Sequence, residues 1–232
     1  LIVVAARPGI GKTAFAGNVT LRAALSGIPC LVFSLEMSFT EIAERVLGAN
    51  ANFPVERLHR GDLNKGELDV LAYRSLNLAD IPFYVDDRVM SVAQIAATAR
   101  SWRVRQSARQ AMVVIDYLGL IRSVGKSENR NLEIGSMAKA VKLLAKDLEC
   151  PVVLVAQLNR AMEKEGREPM LSDLRDSGEI EAHADMVVFP HREQPLDASG
   201  PASLIVPKNR GGRTGKIPCW WHAQTMTFAG LE

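Results

Sequence analysis

Apolar residues in this chain come as short unbroken runs, separated by longer segments in which they recur at helical spacing. The runs are LIVVA (1–5), CLVFSL (30–35), FYV (83–85), MVVI (112–115), PVVLVA (151–156) and MVVF (186–189). Continuous rather than alternating hydrophobicity is how strands read when a parallel sheet is covered on both faces. The longer segments supply the cover. Over 131–149, Ile134, Met137, Ala138, Val141, Leu144, Ala145 and Leu148 form one stripe while Lys139, Lys142 and Lys146 lie off it, which predicts an amphipathic helix. Ser91 followed by Gln94 is a capping-box signature for a helix running to about Arg105. Segments 40–48 and 64–78 are further helical candidates.

Strand and helix therefore alternate, predicting an α/β fold with a mostly parallel central sheet flanked by helices. After Phe189 the texture changes, because Pro190, Pro195, Gly200, Pro201, Pro207 and Pro218 punctuate short runs such as ASLIV (202–206) and TMTF (225–228). These are predicted to be antiparallel strands that extend the sheet edge. The polar stretches 122–131 and 160–179 read as functional loops.

The 232 residues, 47% of them hydrophobic, suffice for one large domain spanning 1–232 and offer no run long enough for a membrane span. The first residue is Leu1, and LIVVAA reads as a core strand rather than a leader, which suggests a domain excised from a longer protein. A formal charge of +2 means that any contact with nucleic acid must come from local basic loops. Cys30, Cys150 and Cys219 show no metal or redox spacing, and the histidines likewise. Buried thiols in a reducing compartment are expected, and with them a cytoplasmic location.

The first candidate for chemistry is ARPGIGKT, Ala6 to Thr13. Polyphosphate binding needs backbone N–H groups converging on oxygens, a lysine for the outer phosphates and a hydroxyl for magnesium. A strand, a glycine-containing turn and a helix N-terminus supply them. Here LIVVA is the strand, Gly9 and Gly11 relax the turn, Lys12 and Thr13 follow, and AFAGNVTLRAAL (14–25) is the helix. Residues Arg7, Pro8, Gly9, Ile10, Gly11, Lys12, Thr13 and Ala14 are thus predicted to cradle the phosphates of a nucleotide, which the resemblance below makes ATP. Ala6 replaces the glycine that opens the common pattern, at a position that only continues the strand.

Hydrolysis also needs a carboxylate for the metal shell and a group to activate water. Asp116 ends the run MVVID and is the candidate magnesium ligand together with Thr13. Glu36 ends CLVFSLE, where a general base and an ordinary helix-start carboxylate are equally good readings. Gln157 ends PVVLVAQ and reads either as a γ-phosphate sensor or as a polar strand cap. Asp86 and Asp87 precede the helix opening at Ser91, which favours a structural, capping role for them.

Taken in order, ARPGIGKT, FSLEM, VVIDYLGLI, AQLNR and DLRDSGEIEAHAD resemble the motor domain of DnaB-type replicative DNA helicases, a branch of the RecA-like hexameric ATPases. The resemblance spans nearly the whole chain, and the alanine that opens the loop is itself usual in that family. It implies a RecA-like P-loop fold, with the family's N-terminal domain and linker outside this chain. It implies that Lys12 and Thr13 hold phosphates and magnesium, that Glu36 is the catalytic base, that Asp116 is the metal-shell acid, and that Gln157 is the sensor. SDLRDSGEIE resembles the family's central-channel loop, so Arg175, Asp176 and Gly178 would track single-stranded DNA. VPKNRGGRTG resembles the segment that sends Lys208 and the arginine finger Arg210 into the neighbouring subunit's site. Without the resemblance, Arg210 and Arg213 read as a solvated hairpin turn.

The chain departs from the family at Gly119, Asp176, Pro190 and His191, which suggests a divergent or phage-encoded member. The function implied is an ATP-driven DNA helicase working as a homo-oligomer, a hexamer, with primase and a helicase loader docking through regions outside this chain. The alternative from another class is a RecA-like ATPase that forms filaments on DNA without unwinding it. A regulatory nucleotide switch fits less well with so complete a hydrolytic set.

Overall fold

The computed structural model describes residues 1–88, 90–116, 118–121, 130–158, 167–194 and 197–231. The predicted buried runs all become strands: β1 (Ile2–Ala6), β2 (Cys30–Ser34), β3 (Phe83–Asp86), β4 (Met112–Asp116), β5 (Val152–Gln157) and β6 (Met186–Arg192). With β7 (Gly200–Asn209), β8 (Gly215–His222) and β9 (Thr227–Gly230) they form one nine-stranded sheet of order β3-β2-β4-β5-β1-β6-β7-β8-β9. β1 to β6 pair in parallel, and β6 to β9 pair antiparallel. The expected mostly parallel sheet with an antiparallel C-terminal extension is therefore the observed one.

Both faces of the parallel part are covered, which is why its strands are apolar throughout. Val3, Phe33, Val113, Ile115 and Leu154 pack on one side with Ile95, Ala99 and Trp102 of α5 (Val92–Arg105) and with Val141 and Leu144 of α6 (Arg130–Asp147). Val4, Val32, Val114 and Val155 pack on the other with Ala16 and Ala24 of α1 (Lys12–Leu25). Cys30, Cys150 and Cys219 are buried free thiols, as expected. No described helix is long and apolar enough to cross a membrane.

The capping box at Ser91 and Gln94 forms, and it starts α5 at Val92. Segment 40–48 belongs to α2 (Phe39–Ala51), which has its own capping box at Ser38 and Glu41. Segment 64–78 divides into α4 (Lys65–Ser75) and a 3-10 turn (Leu76–Leu78). Asp87 does play a structural part, but at α2 and not at α5: its Oδ2 accepts the Phe39 N–H at 2.8 Å. Asp86 instead pairs with Arg88 at 2.6 Å.

Some elements differ from the sequence reading. α3 (Val55–Arg60) has only six residues, too few to display a period. β8 was hidden by Pro218, which lies one residue outside the β8–β9 pairing that begins at Cys219. The expected strand at 225–228 starts later, at Thr227, because residues 223–226 form the turn out of β8. Pro190 sits inside β6 but beyond its pairing with β1, which ends at Val188. Of the two stretches read as loops, 122–129 and 160–166 lie outside the described residues, the first stretch ends inside α6, which begins at Arg130, and in the second Leu171–Ser177 is a 3-10 segment that leads into α7 (Gly178–His183).

The sheet has one irregularity. Val187 faces Lys208 and Phe189 faces Ile205, so Val206 and Pro207 together stand opposite Val188. β7 therefore carries a bulge, and proline is tolerated there because a bulged residue need not donate to the ladder.

Candidate functional site

The site lies along the carboxyl edge of the parallel strands, where successive strand ends open toward helix N-termini. Ala6 is the last residue of β1, 1% exposed and in register with Gln157. It extends the strand and lines no turn. The chain then bends through Gly9 at φ 72° and Gly11 at φ 103°, both in the left-handed region where a side chain is disfavoured. Gly11 is the N-cap of α1. The first N–H groups of a helix have no intrahelical acceptor, and here they face the loop with the positive end of the helix dipole behind them.

Glu36 reaches the same edge because β2 ends sharply. Ser34 Oγ donates to Met37 O at 2.7 Å, Leu35 N donates to Asp116 O at 2.6 Å, and Ser38 caps α2. The outcome is a contact of 3.4 Å between Lys12 Nζ and Glu36 Oε2. Asp116 is in register with Ser34 on the neighbouring strand β4 and is 4% exposed. Its carboxylate takes a hydrogen bond from the Thr13 hydroxyl, while Oδ1 is buried with no hydrogen-bond partner. Burial pushes the Asp116 carboxyl up, against the opposing pull of Thr13 and Lys12. Gln157 is exposed at the end of β5, beside Ala6.

One cation on this edge was not anticipated from sequence. Arg45 of α2 shares a narrow cavity with Thr13 and Asp116. Burial pulls its guanidinium down, and Asp116, Glu41 and Glu36 oppose that. The signal was weak, since Arg45 is one of several charged residues on a helix and only the α1–α2 packing turns it inward.

Thr13 and Asp116 are the side chains on this edge that could hold a magnesium ion. A hydroxyl and a buried carboxylate with an unsatisfied oxygen are hard donors of the kind this ion accepts. Among the described residues no cluster of three or more acidic, histidine or cysteine side chains forms a metal cage. Magnesium held chiefly by phosphate oxygens and water needs none, so the residues fit.

Lys208 and Arg210 are elsewhere. Lys208 is in register with Val187, which is in register with Val3, and Arg210 N donates to Asp185 O at 2.8 Å. Measured along the strands at about 3.3 Å per residue, Lys208 stands roughly 10 Å and Arg210 roughly 20 Å back from the loop after Ala6. Lys208 Nζ donates to Glu181 O at 2.6 Å, and Arg210 donates to Ala182 O at 2.9 Å and to Asp185 Oδ1 at 3.4 Å. Arg175, Asp176 and Gly178 occupy the segment just before these acceptors, spanning the 3-10 turn and the start of α7. Upstream, Arg167 grips Asp173 through a two-pronged pair at 2.7 and 2.8 Å.

Comparison with known proteins gives a consistent result. Residues 1–230 match the family model described as the DnaB-like helicase C terminal domain. The replicative DNA helicase DnaB of Leifsonia xyli subsp. xyli is 38% identical over 238 residues, covering all of this chain and 52% of that protein. The DnaB of Geobacillus stearothermophilus is 36% identical over 240 residues, again with 52% of its length covered. The chain thus spans about half the length of the curated relatives it matches. Among solved structures, one described as an ATPase domain superposes with a TM-score of 0.90 at 26% identity, over 100% of this chain and 84% of that one. A DnaB-like replicative helicase, described with its interactions with primase, superposes at 0.92 and 26% identity, over 100% and 57% of the two chains.

Proposed function

Since the chain belongs to the DnaB-like helicase C-terminal domain family, we propose that it is the ATP-hydrolysing motor domain of a replicative DNA helicase. The observation that carries this reading is the meeting, at one sheet edge, of Lys12 and Thr13 from the loop, Glu36 from β2 and Asp116 from β4.

In this reading the loop N–H groups and Lys12 bind the ATP phosphates, and Arg45 adds a second cation from α2. Thr13 and Asp116 hold magnesium, which when bound neutralises charge on the phosphate oxygens. Glu36 accepts the proton of the attacking water. It is half exposed and tethered to Lys12, so nucleotide that draws Lys12 onto its phosphates releases the carboxylate for that task. Gln157 hydrogen-bonds the γ-phosphate or the water.

The distance of Arg210 and Lys208 from their own loop supports a role in trans: each would complete the site of a neighbouring copy. An arginine supplied in this way is worth about 10³ to 10⁵ in rate, so a homo-oligomeric ring, a hexamer, is the working form. The segment with Arg175, Asp176 and Gly178 is the single-stranded DNA contact, a short loop making sequence-independent phosphate contacts. The solved helicase described with primase supports primase as a partner of the assembled protein, and a helicase loader belongs to the same proposal. Such a motor works where the DNA is, in the cytoplasm of a bacterium or of a phage-infected host.

The test is Lys12→Ala in the full-length protein. Rings should form, while DNA-stimulated ATP hydrolysis and strand unwinding disappear; hydrolysis that survives in assembled rings would overturn the reading. Open filaments instead of closed rings in electron micrographs with nucleotide would favour a strand-binding ATPase.

A further inference from the structure

Arg192 closes β6 and is 2% exposed, a guanidinium carried into the interior. Among the described residues its donors reach carbonyls on both sides of the site. Nε donates to Ile10 O at 2.9 Å, one terminal nitrogen donates to Gln194 O at 2.9 Å, and the other donates to Gly9 O. Its flat face lies over Trp221, with Cζ 5.0 Å from the ring centroid. Trp221 is 1% exposed and packs against Phe228 at 4.8 Å, which meets Phe15 of α1 edge-on at 5.9 Å. A Cβ on Gly11 would stand 3.4 Å from Phe228 and 3.5 Å from Trp221. The loop between β1 and α1 is therefore backed by Arg192 at the end of β6 and, behind it, by aromatic rings of the antiparallel extension and α1.

The direction of these bonds matters. In a planar trans peptide the carbonyl and the following N–H point opposite ways. Ile10 O is held on the Arg192 side, so the Gly11 N–H is turned to the other side, away from the guanidinium. Ile10's own N–H is used within the turn, donating to Arg7 O at 3.3 Å. A cation on the carbonyl side also polarises these peptides, which strengthens their N–H groups as donors. Burying a guanidinium is costly unless it is hydrogen-bonded, and at this place it is bonded to the loop itself.

We propose that Arg192 is a positioning residue of the phosphate loop: acting through the Gly9 and Ile10 carbonyls, it holds the loop in its anion-receiving shape before any nucleotide arrives. The proposal rests on the reading of that loop as a polyphosphate site. Its signature is selectivity, because a residue that shapes only the phosphate cradle leaves contacts to the nucleoside untouched.

The experiment uses full-length protein and displacement of a fluorescent ADP analogue by ADP, pyrophosphate and adenosine. Arg192→Met removes the charge at similar volume, and Arg192→Lys keeps the charge but loses the fork. Each should weaken ADP and pyrophosphate by about ten- to a hundredfold, the range for hydrogen bonds to a charged group, with adenosine unchanged. Equal weakening of all three, undiminished pyrophosphate binding, or failure of both variants to fold would overturn the proposal. Lys12→Ala separates this from the underlying reading: if pyrophosphate still binds that variant as it binds wild type, the loop is not the anion site.

Discussion

Lys12 Nζ stands 3.4 Å from Glu36 Oε2, joining the loop after β1 to the carboxylate beyond β2. The two groups hold each other where a phosphoryl group and its attacking water would separate them. Glu36→Gln should keep nucleotide binding and lose about 10² to 10⁴ in kcat, the range for removing a general base. Single-turnover hydrolysis in assembled protein measures this, and a rate within about threefold of wild type would leave Glu36 as a mere partner of Lys12.

Asp116 sets stability against activity. Its carboxyl is raised because burial disfavours the ionised form, so the folded state holds the proton more tightly than the unfolded chain. Its contribution therefore weakens as pH rises above the ordinary carboxyl value of 3.8. Asp116→Asn should raise the unfolding midpoint of nucleotide-free protein at pH 7 by about 2–4 °C and abolish magnesium-dependent hydrolysis. A lower midpoint would show that Thr13 and the nearby cations outweigh burial.

Arg210→Ala subunits mixed with Lys12→Ala subunits should regain ATPase that neither variant has alone, since the intact loop of an Arg210→Ala subunit can then receive Arg210 from a Lys12→Ala neighbour. Steady-state hydrolysis across a mixing series reads this out. Mixed rings as inactive as either variant would count against a role in trans.

Asp173 carries the acid limb. The Arg167 hydrogen bonds hold its carboxyl below the ordinary 3.8, more than offsetting burial, and Met170 N–H adds to them. A depressed carboxyl contributes stability that is present above the unfolded value and is lost as pH falls through the folded one. Asp173→Asn should therefore destabilise the protein at neutral pH and narrow its difference from wild type below pH 3.8. Thermal melts across that range test it, and parallel curves would exclude the pair as a source of acid sensitivity.

Two helical glycines should respond oppositely to alanine. At Gly17 an added Cβ meets nothing within 4 Å, so Gly17→Ala gains helix propensity of about 0.5–1 kcal/mol. At Gly48 it would stand 2.6 Å from Val55 Cγ2 and 2.9 Å from Phe53 O, and a backbone oxygen cannot step aside cheaply. Gly48→Ala should cost about 1–3 kcal/mol by overpacking. Denaturant unfolding of both variants decides it.

The parallel half of the fold was legible because covered strands leave unbroken apolar runs, and four of those runs, LIVVA, CLVFSL, MVVI and PVVLVA, lead into a residue of the candidate site. Lys12, Thr13, Glu36, Asp116 and Gln157 could be found that way, since a strand end on such a sheet is a place as well as a sequence position. Arg45 and Arg192 could not. Arg45 acquires its meaning from how α2 leans on α1, and Arg192 from which carbonyls its fork meets. β8 was obscured by Pro218, whose lack of an N–H matters only where a neighbour would need it. Arg175, Asp176 and Gly178 fall in a segment whose charges carry no period, so only the resemblance singled them out.

The bulge in β7 has a geometric consequence for Lys208 and Arg210. Side chains alternate along a strand, so Ala202 and Leu204 would by simple parity share their face with Lys208 and Arg210. Two residues, Val206 and Pro207, opposite the single Val188 shift that phase by one. Lys208 and Arg210 are thereby aimed to the side that Ser203 and Ile205 occupy earlier in the strand. Without Pro207, Lys208 would follow Ile205 by two residues and share its side by plain alternation, so the bulge absorbs one extra residue while keeping both cations on the side that a regular ladder of that shorter strand would give them.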